Sequence, residues 1–194
     1  RNTMEKDSTR NTDEALIEIY EKLRPGEPAT LDSSKNNIIT RFFDEFRYDL
    51  AKVGRYKFNR KLNVMDRLLD QTLAEDIVVD GEVLASKGTV LTKDVLSTLK
   101  PAFENGYGVK EVTINQELDT YNKLQQVTIY NPNNKKEKMI VLGNDQSIEV
   151  RRLTISDVYA AVSYYLNLLE GVGNFDEIDH LGNRRVRQVG ELLQ

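Results

Sequence analysis

The 194-residue sequence contains no cysteine and a single histidine, His180. Without cysteine there is no disulfide framework, no thiolate metal site and no cysteine nucleophile, a composition that fits a cytoplasmic protein. With one imidazole, the usual zinc sites that use histidine lack a second ring, and a Ser/His/Asp arrangement has to run through His180 alone. Neither Ser156 nor Ser163 sits in a Gly-x-Ser-x-Gly elbow, so an independent hydrolase finds little support. No apolar run approaches the roughly 20 residues needed to cross a bilayer, and the opening Arg1-Asn2-Thr3-Met4-Glu5-Lys6-Asp7 lacks the apolar stretch of a secretory signal. Neither membrane insertion nor secretion is expected.

What is present is enough apolar chain, 39% of residues, to bury one large core or two small ones. The formal net charge of −4 argues against a uniformly basic surface. Locally the balance reverses. Between Arg41 and Lys61, seven basic residues (Arg41, Arg47, Lys52, Arg55, Lys57, Arg60, Lys61) face three acidic ones (Asp44, Glu45, Asp49). Charge alone leaves two readings open, a surface that faces phosphate and an ordinary solvated face. The rings of Phe42, Phe43, Phe46, Tyr48, Tyr56 and Phe58 are interleaved with these charges, and most are expected in the core, the common use of aromatic side chains.

Local signals divide the chain. Asn11, followed three residues later by Glu14, starts an amphipathic helix carrying Leu16, Ile17, Tyr20 and Leu23, which must stop at Arg24-Pro25-Gly26-Glu27-Pro28. A poorer helix is expected from about Leu31 to Phe43, weakened by Asn36 and Asn37. Ile77–Val79 and Glu82–Ala85, joined by Asp80-Gly81, read as a hairpin. Thr92 opens a short helix, and strands are expected over 109–114, 126–130 and 138–142. Thr154 caps a further helix whose apolar stripe, Val158, Ala161, Val162, Tyr165, Leu168 and Leu169, is expected to be packing surface. Gly171-Val172-Gly173 ends it.

The stretch that follows, Asp176 to Arg187, carries the sequence Asp-His-Leu-Gly-Asn-Arg-Arg at 179–185. It closely resembles a segment of bacterial RNA polymerase β subunits. Two more stretches are similar to that family in the same order: Asp13-Glu14-Ala15-Leu16 through Leu23-Arg24-Pro25-Gly26-Glu27-Pro28, and Arg47-Tyr48-Asp49-Leu50 through Val53-Gly54-Arg55-Tyr56-Lys57. The resemblance implies an internal piece of the subunit's lobe. The expected fold is α+β: a mostly helical, discontinuous lobe portion over 1–65 and 151–194, with a small mixed α/β module over 66–150 that resembles a lineage-dependent insertion.

By the same resemblance, the lobe lines one side of the downstream DNA channel and touches the non-template strand. Asp179 and Arg184 match family positions that help form a pocket for an unstacked guanine. A carboxylate, acceptor-only, can take both N1–H and N2–H from that base's Watson–Crick edge. Arg184 would add stacking or a phosphate contact, and Ile178 an apolar wall. Arg24 is a candidate phosphate contact, with Arg55 and Lys57 as weaker ones. Against this stands the plain alternative that Asp179, Arg184 and Arg185 pair with one another at a domain junction. Glu177 departs from the family, which usually has aspartate there. His180 is expected to make a hydrogen bond, either buried or positioning a hinge, in preference to catalysis, and Gly182 to admit a backbone conformation closed to other residues.

No catalytic residue and no cofactor is assigned. The magnesium ions of the parent enzyme, a nucleotidyltransferase, belong in this family to the β′ subunit. The expected partners are DNA (the non-template strand and downstream duplex) and the β′, α and σ subunits. A competing reading is a protein-interaction module in which 66–150 accepts a transcription regulator, with edge strands around Val127 to Tyr130 that are either open to such a partner or covered.

Overall fold

The computed structural model describes residues 2–113, 118–184 and 189–193. The chain is a mixed α/β structure, opened by a helical turn α1 (Asn2–Glu5) and by α2 (Thr12–Leu23). Asn11 caps α2, its side chain accepting from the Glu14 N–H at 2.9 Å. α3 (Leu31–Ile38) starts at a Thr30–Ser33 capping box, packs against α2, and widens into a π-helical turn over Ile39–Phe43. After α4 (Ala51–Leu62) and the short α5 (Met65–Leu68) come the hairpin β1 (Ile77–Val79) and β2 (Glu82–Ala85), then α6 (Lys93–Glu104). Asp80 and Gly81 both have positive φ at the hairpin turn, the geometry that matches strand twist.

The larger sheet is antiparallel, in the order β3 (Val109–Glu111), β4 (Lys123–Tyr130), β5 (Lys138–Asn144). The strand expected to reach Ile114 ends at Glu111, and Ile114 lies outside the described residues. α7 (Ile155–Leu169) lies against β5, with α8 (Val189–Leu192) near the end of the chain. The residues expected to form a separate middle module share one core with the flanks. Val64 and Val172, from either side of that stretch, are buried with Leu73, Leu99, Ile129 and Val141. The two flanks also meet directly: Leu50 N–H donates to Arg151 O at 2.7 Å, and Asp49 pairs with Arg151.

α7 corrects an expectation. Its apolar stripe faces outward, with Val162 at 55%, Tyr165 at 63% and Leu169 at 63% exposure, and only Leu168 half-buried. The inward face is Ser156, Asp157, Ala160, Ser163, Tyr164 and Asn167. The cause is β5, which among the described residues pairs with β4 on one side only and leaves backbone groups that need partners on the other. Ser163 Oγ accepts from Leu142 N–H at 3.1 Å, Ser156 Oγ from Asp145 N–H at 3.3 Å, and the Asn167 amide donates to Ile140 O at 3.3 Å. Polar side chains are buried here because a strand edge, not a hydrophobic layer, lies opposite.

The aromatic expectation is corrected as well. Phe42, Phe46, Tyr48 and Tyr56 are exposed, Phe46 almost fully. Only Phe43 and Phe58 are half-buried, Phe58 packing beside Leu62, Ala160 and Tyr164.

Candidate nucleic-acid interface

Residues 174–184 form an exposed arm after α7. The chain turns out of the helix through Gly171 and Gly173, both at positive φ, and a β-carbon on Gly173 would lie 3.2 Å from the Tyr164 hydroxyl. The arm's tip is a 3-10 turn, Leu181–Asn183, capped by His180, whose Nδ1 accepts from Gly182 N–H at 3.0 Å. The His180 ring explains Gly182: its φ is not left-handed, but a β-carbon there would sit 3.0 Å from Nδ1. The expected backbone role is therefore corrected to one of space, and the hydrogen bond expected of His180 is made by an exposed ring. Asn183 ties the turn back, donating to Glu177 O at 2.9 Å.

Asp179 and Arg184 flank this turn, and neither is buried. Ile178 beside them is 85% exposed. An acceptor-only carboxylate, a guanidinium and an apolar side chain are thus displayed together to solvent. Arg185, the third member of the pairing alternative, lies outside the described residues.

α4 holds the arm. Lys57 donates to the Gly182 carbonyl, and Lys61, one turn later, reaches Asp176 Oδ1 at 2.8 Å and Asn174 O at 3.0 Å. Burial works against the Lys61 ammonium, but hydrogen bonding to Asp176 and Tyr164 outweighs it, and its pKa lies above the ordinary lysine value. Lys57 remains exposed and uses one of its three donors on the carbonyl.

Arg55 does not join this surface, which corrects its candidacy for phosphate. It is 4% exposed. Its Nη1 lies 2.9 Å from both Asp157 carboxylate oxygens, Nε donates to Val150 O at 2.8 Å, and Nη2 donates to Arg152 O. A guanidinium with its donors committed inside the protein has none to offer a phosphate. Sequence spacing missed this because Asp157 lies 102 residues away.

Arg24 ends α2 in the first helical pair, exposed and paired with Glu27 at 3.1 Å. Glu27 raises the Arg24 pKa, and Arg24 with the Tyr20 hydroxyl holds the Glu27 carboxyl below its usual value. Such a surface pair opens readily in favour of another anion.

Sequence reasoning also missed Arg67, 2% exposed. Its donors go to Asn167 Oδ1 and to the carbonyls of Leu62 and Leu142. Burial pushes its pKa down to about 10, so it remains charged at neutral pH. Among the described residues, no group of three or more His, Cys, Asp or Glu side chains is placed to hold a metal ion, and no helix is long and apolar enough to cross a membrane.

Comparisons with known proteins agree with the arm's sequence. A family model described as RNA polymerase Rpb2, domain 2, matches residues 1–79 and 107–187. The DNA-directed RNA polymerase subunit beta of Listeria welshimeri is 48% identical over 198 residues, and that of Geobacillus thermodenitrificans 50% identical over 200. Each alignment covers 100% of this chain and 17% of the relative, so the chain spans about a sixth of their length. The family match includes the whole arm from Asn174 to Arg184 and the α4 lysines that hold it, and the chain belongs to the RNA polymerase Rpb2 domain 2 family.

Proposed function

We propose that this chain is a DNA-contacting part of an RNA polymerase β subunit, acting in DNA-directed transcription beside β′, α and σ subunits without supplying catalytic groups itself. On this reading the arm meets the non-template strand of opened DNA. Asp179 accepts the N1–H and N2–H donors of an unstacked guanine, a donor pair that no other base presents. Arg184 stacks on the base or contacts a flanking phosphate, and Ile178 closes one side. Arg24 and Lys57 add sequence-independent attraction to phosphate. The observation that carries the reading is the joint exposure of Asp179, Ile178 and Arg184 on one braced turn, within a sequence that resembles the family's guanine-binding segment.

The test uses polymerase assembled with the full-length subunit and compares promoter DNAs with guanine or another base at the contacted position. Asp179→Ala is expected to erase the preference for guanine, a loss of about 1–3 kcal/mol for that base alone. In the same assay Arg24→Ala weakens binding to every sequence alike and flattens its salt dependence. An unchanged guanine preference in Asp179→Ala removes the pocket from consideration.

A second reading, a docking site for a transcription regulator, is favoured by one observation, a cleft and not the expected strand edge, because Val127 to Tyr130 are paired with β5 on one side and with Thr72 to Ala74 on the other. A cleft of about 1240 Å³ is lined by Lys93, Leu96 and Lys100 of α6 together with Arg60 and Lys123. The α6 residues of that lining lie within 80–106, which the family match leaves out. Lys100→Glu, exposed and outside the core, should then abolish the response to a regulator while promoter opening stays normal. A normal response to every regulator tested counts against this second role.

A further inference from the structure

Tyr164 is the largest side chain on the inward face of α7, 8% exposed, and its hydroxyl captures both backbone groups of one residue in the arm. The hydroxyl donates to Asn174 O at 2.9 Å and accepts from Asn174 N–H at 3.1 Å. Lys61 sits over the same ring, 4.7 Å from its centroid, while bonding Asn174 O and Asp176 Oδ1. The Arg67 guanidinium lies 4.9 Å from that centroid too. Two cations near one ring face its negative quadrupole, so the ring is held by charge as well as by packing against Leu62 and Ala160. The arm's far end is fixed by Lys57 at Gly182. One helix thus holds the arm at 174–176 and at 182, and leaves 177–181 projecting between the two attachments.

We infer that Lys61 and Tyr164 are positioning residues for Asp179: they set the base of the arm so that the carboxylate is presented at a fixed height and angle to the unstacked base. The inference rests on the guanine-pocket reading above and adds residues that touch no DNA. Neither group is needed for that role unless the base of the arm matters. Asp176 and Asn174 are exposed, and without Lys61 and Tyr164 the arm would keep only its internal turn bonds and the Lys57 bond at Gly182. Recognition of two base donors by one carboxylate depends on angle as much as on distance. A loosened base therefore lowers discrimination before it lowers general affinity for DNA.

The experiment uses polymerase assembled with the full-length β subunit and measures two quantities. One is the ratio of affinities for promoter DNA with guanine and with adenine at the contacted position. The other is amide hydrogen exchange over residues 174–184. Tyr164→Phe, which keeps the ring and removes both hydroxyl bonds, is expected to reduce the ratio by on the order of three- to tenfold. Binding to adenine-containing DNA should be unchanged, and exchange at Asn174 faster. Lys61→Met should act in the same direction and Lys61→Arg should restore the ratio, since a guanidinium keeps the charge over the ring and the bond to Asp176. In the double variant Tyr164→Phe/Asp179→Ala, the ratio should be no lower than in Asp179→Ala alone, because both changes act on one contact.

If Asp179→Ala erases the preference while Tyr164→Phe and Lys61→Met leave it whole, the positioning inference is overturned and the pocket reading stands. If Asp179→Ala itself changes nothing, the pocket reading falls, and the positioning role for guanine falls with it. The exchange measurement separates the cases. Faster exchange with an unchanged ratio shows that Tyr164 holds the arm without serving recognition, which also overturns the inference.

Discussion

Asp157→Ala is expected to destabilise the chain by about 3–5 kcal/mol, the range for removing one partner of a buried ion pair, read as a lower urea midpoint at unchanged slope. The carboxylate is 1% exposed and fully occupied. One oxygen accepts from Arg55 and, at 2.8 Å, from the Asn144 amide, while the other accepts from the Thr154 N–H and hydroxyl at 3.0 and 2.9 Å. It joins α4, the end of β5 and the start of α7 at one point. Alanine leaves the Arg55 charge in place, buried, with carbonyl oxygens but no carboxylate beside it. The double variant Arg55→Met/Asp157→Leu should recover only the share of the loss due to the stranded charge, because the Asn144 amide and the Thr154 N–H and hydroxyl still lose their acceptor. Val162→Ser, on the outward face of α7, should shift stability by no more than about 0.5 kcal/mol. A loss below about 1 kcal/mol for Asp157→Ala would mean that water reaches this site and that the pair is not buried in solution.

Gly108→Ala is the second large effect. Gly108 has φ +73°, and a β-carbon there would stand 2.6 Å from the backbone oxygen of Gln126. The residue cannot move away, because its own carbonyl accepts from Gln126 N–H at 2.8 Å, beside the β3–β4 pairing. The turn between α6 and β3 is pinned again by Gln125, whose amide donates to the carbonyls of Phe103 and Tyr107 at 3.2 and 3.0 Å. A left-handed backbone with a side chain and a forced contact in a packed region together cost about 2–5 kcal/mol. Gly88 separates the two contributions: its φ is +86° but nothing lies within 4 Å of its would-be β-carbon. Gly88→Ala should therefore cost only about 1–2 kcal/mol. Equal melting-temperature losses in the two variants would show that the Gln126 contact contributes nothing.

The parts of the fold that were legible in the sequence are those decided by neighbours along the chain. Asn11 and Thr154 cap α2 and α7 because a short polar side chain reaches the N–H three residues ahead. Asp80-Gly81 turns the hairpin because those residue types tolerate positive φ. The motif Asp179 to Arg184 was equally readable, and its turn is built almost wholly from its own atoms: His180 to Gly182 and Asn183 to Glu177.

The sequence by itself determined the starts of α2 and α7, the hairpin turn and which residues stand together on the arm, but it marked neither α4 (Ala51–Leu62) nor the full span of β4 (Lys123–Tyr130). Only the tertiary structure decided which way those elements face. α7 carries an apolar stripe at helical spacing, yet turns its serines, Asp157 and Asn167 inward. Arg55, one basic residue among many in its stretch, is withdrawn into the interior, while Lys57 and Lys61 on the same helix stay out to hold the arm. In each case the deciding partner is distant in sequence: the unpaired edge of β5 for α7, Asp157 for Arg55, Tyr164 and Asp176 for Lys61. Buried polar groups go wherever their hydrogen bonds can be completed, and that depends on which strand edge or charge lies opposite, which spacing along one chain does not encode.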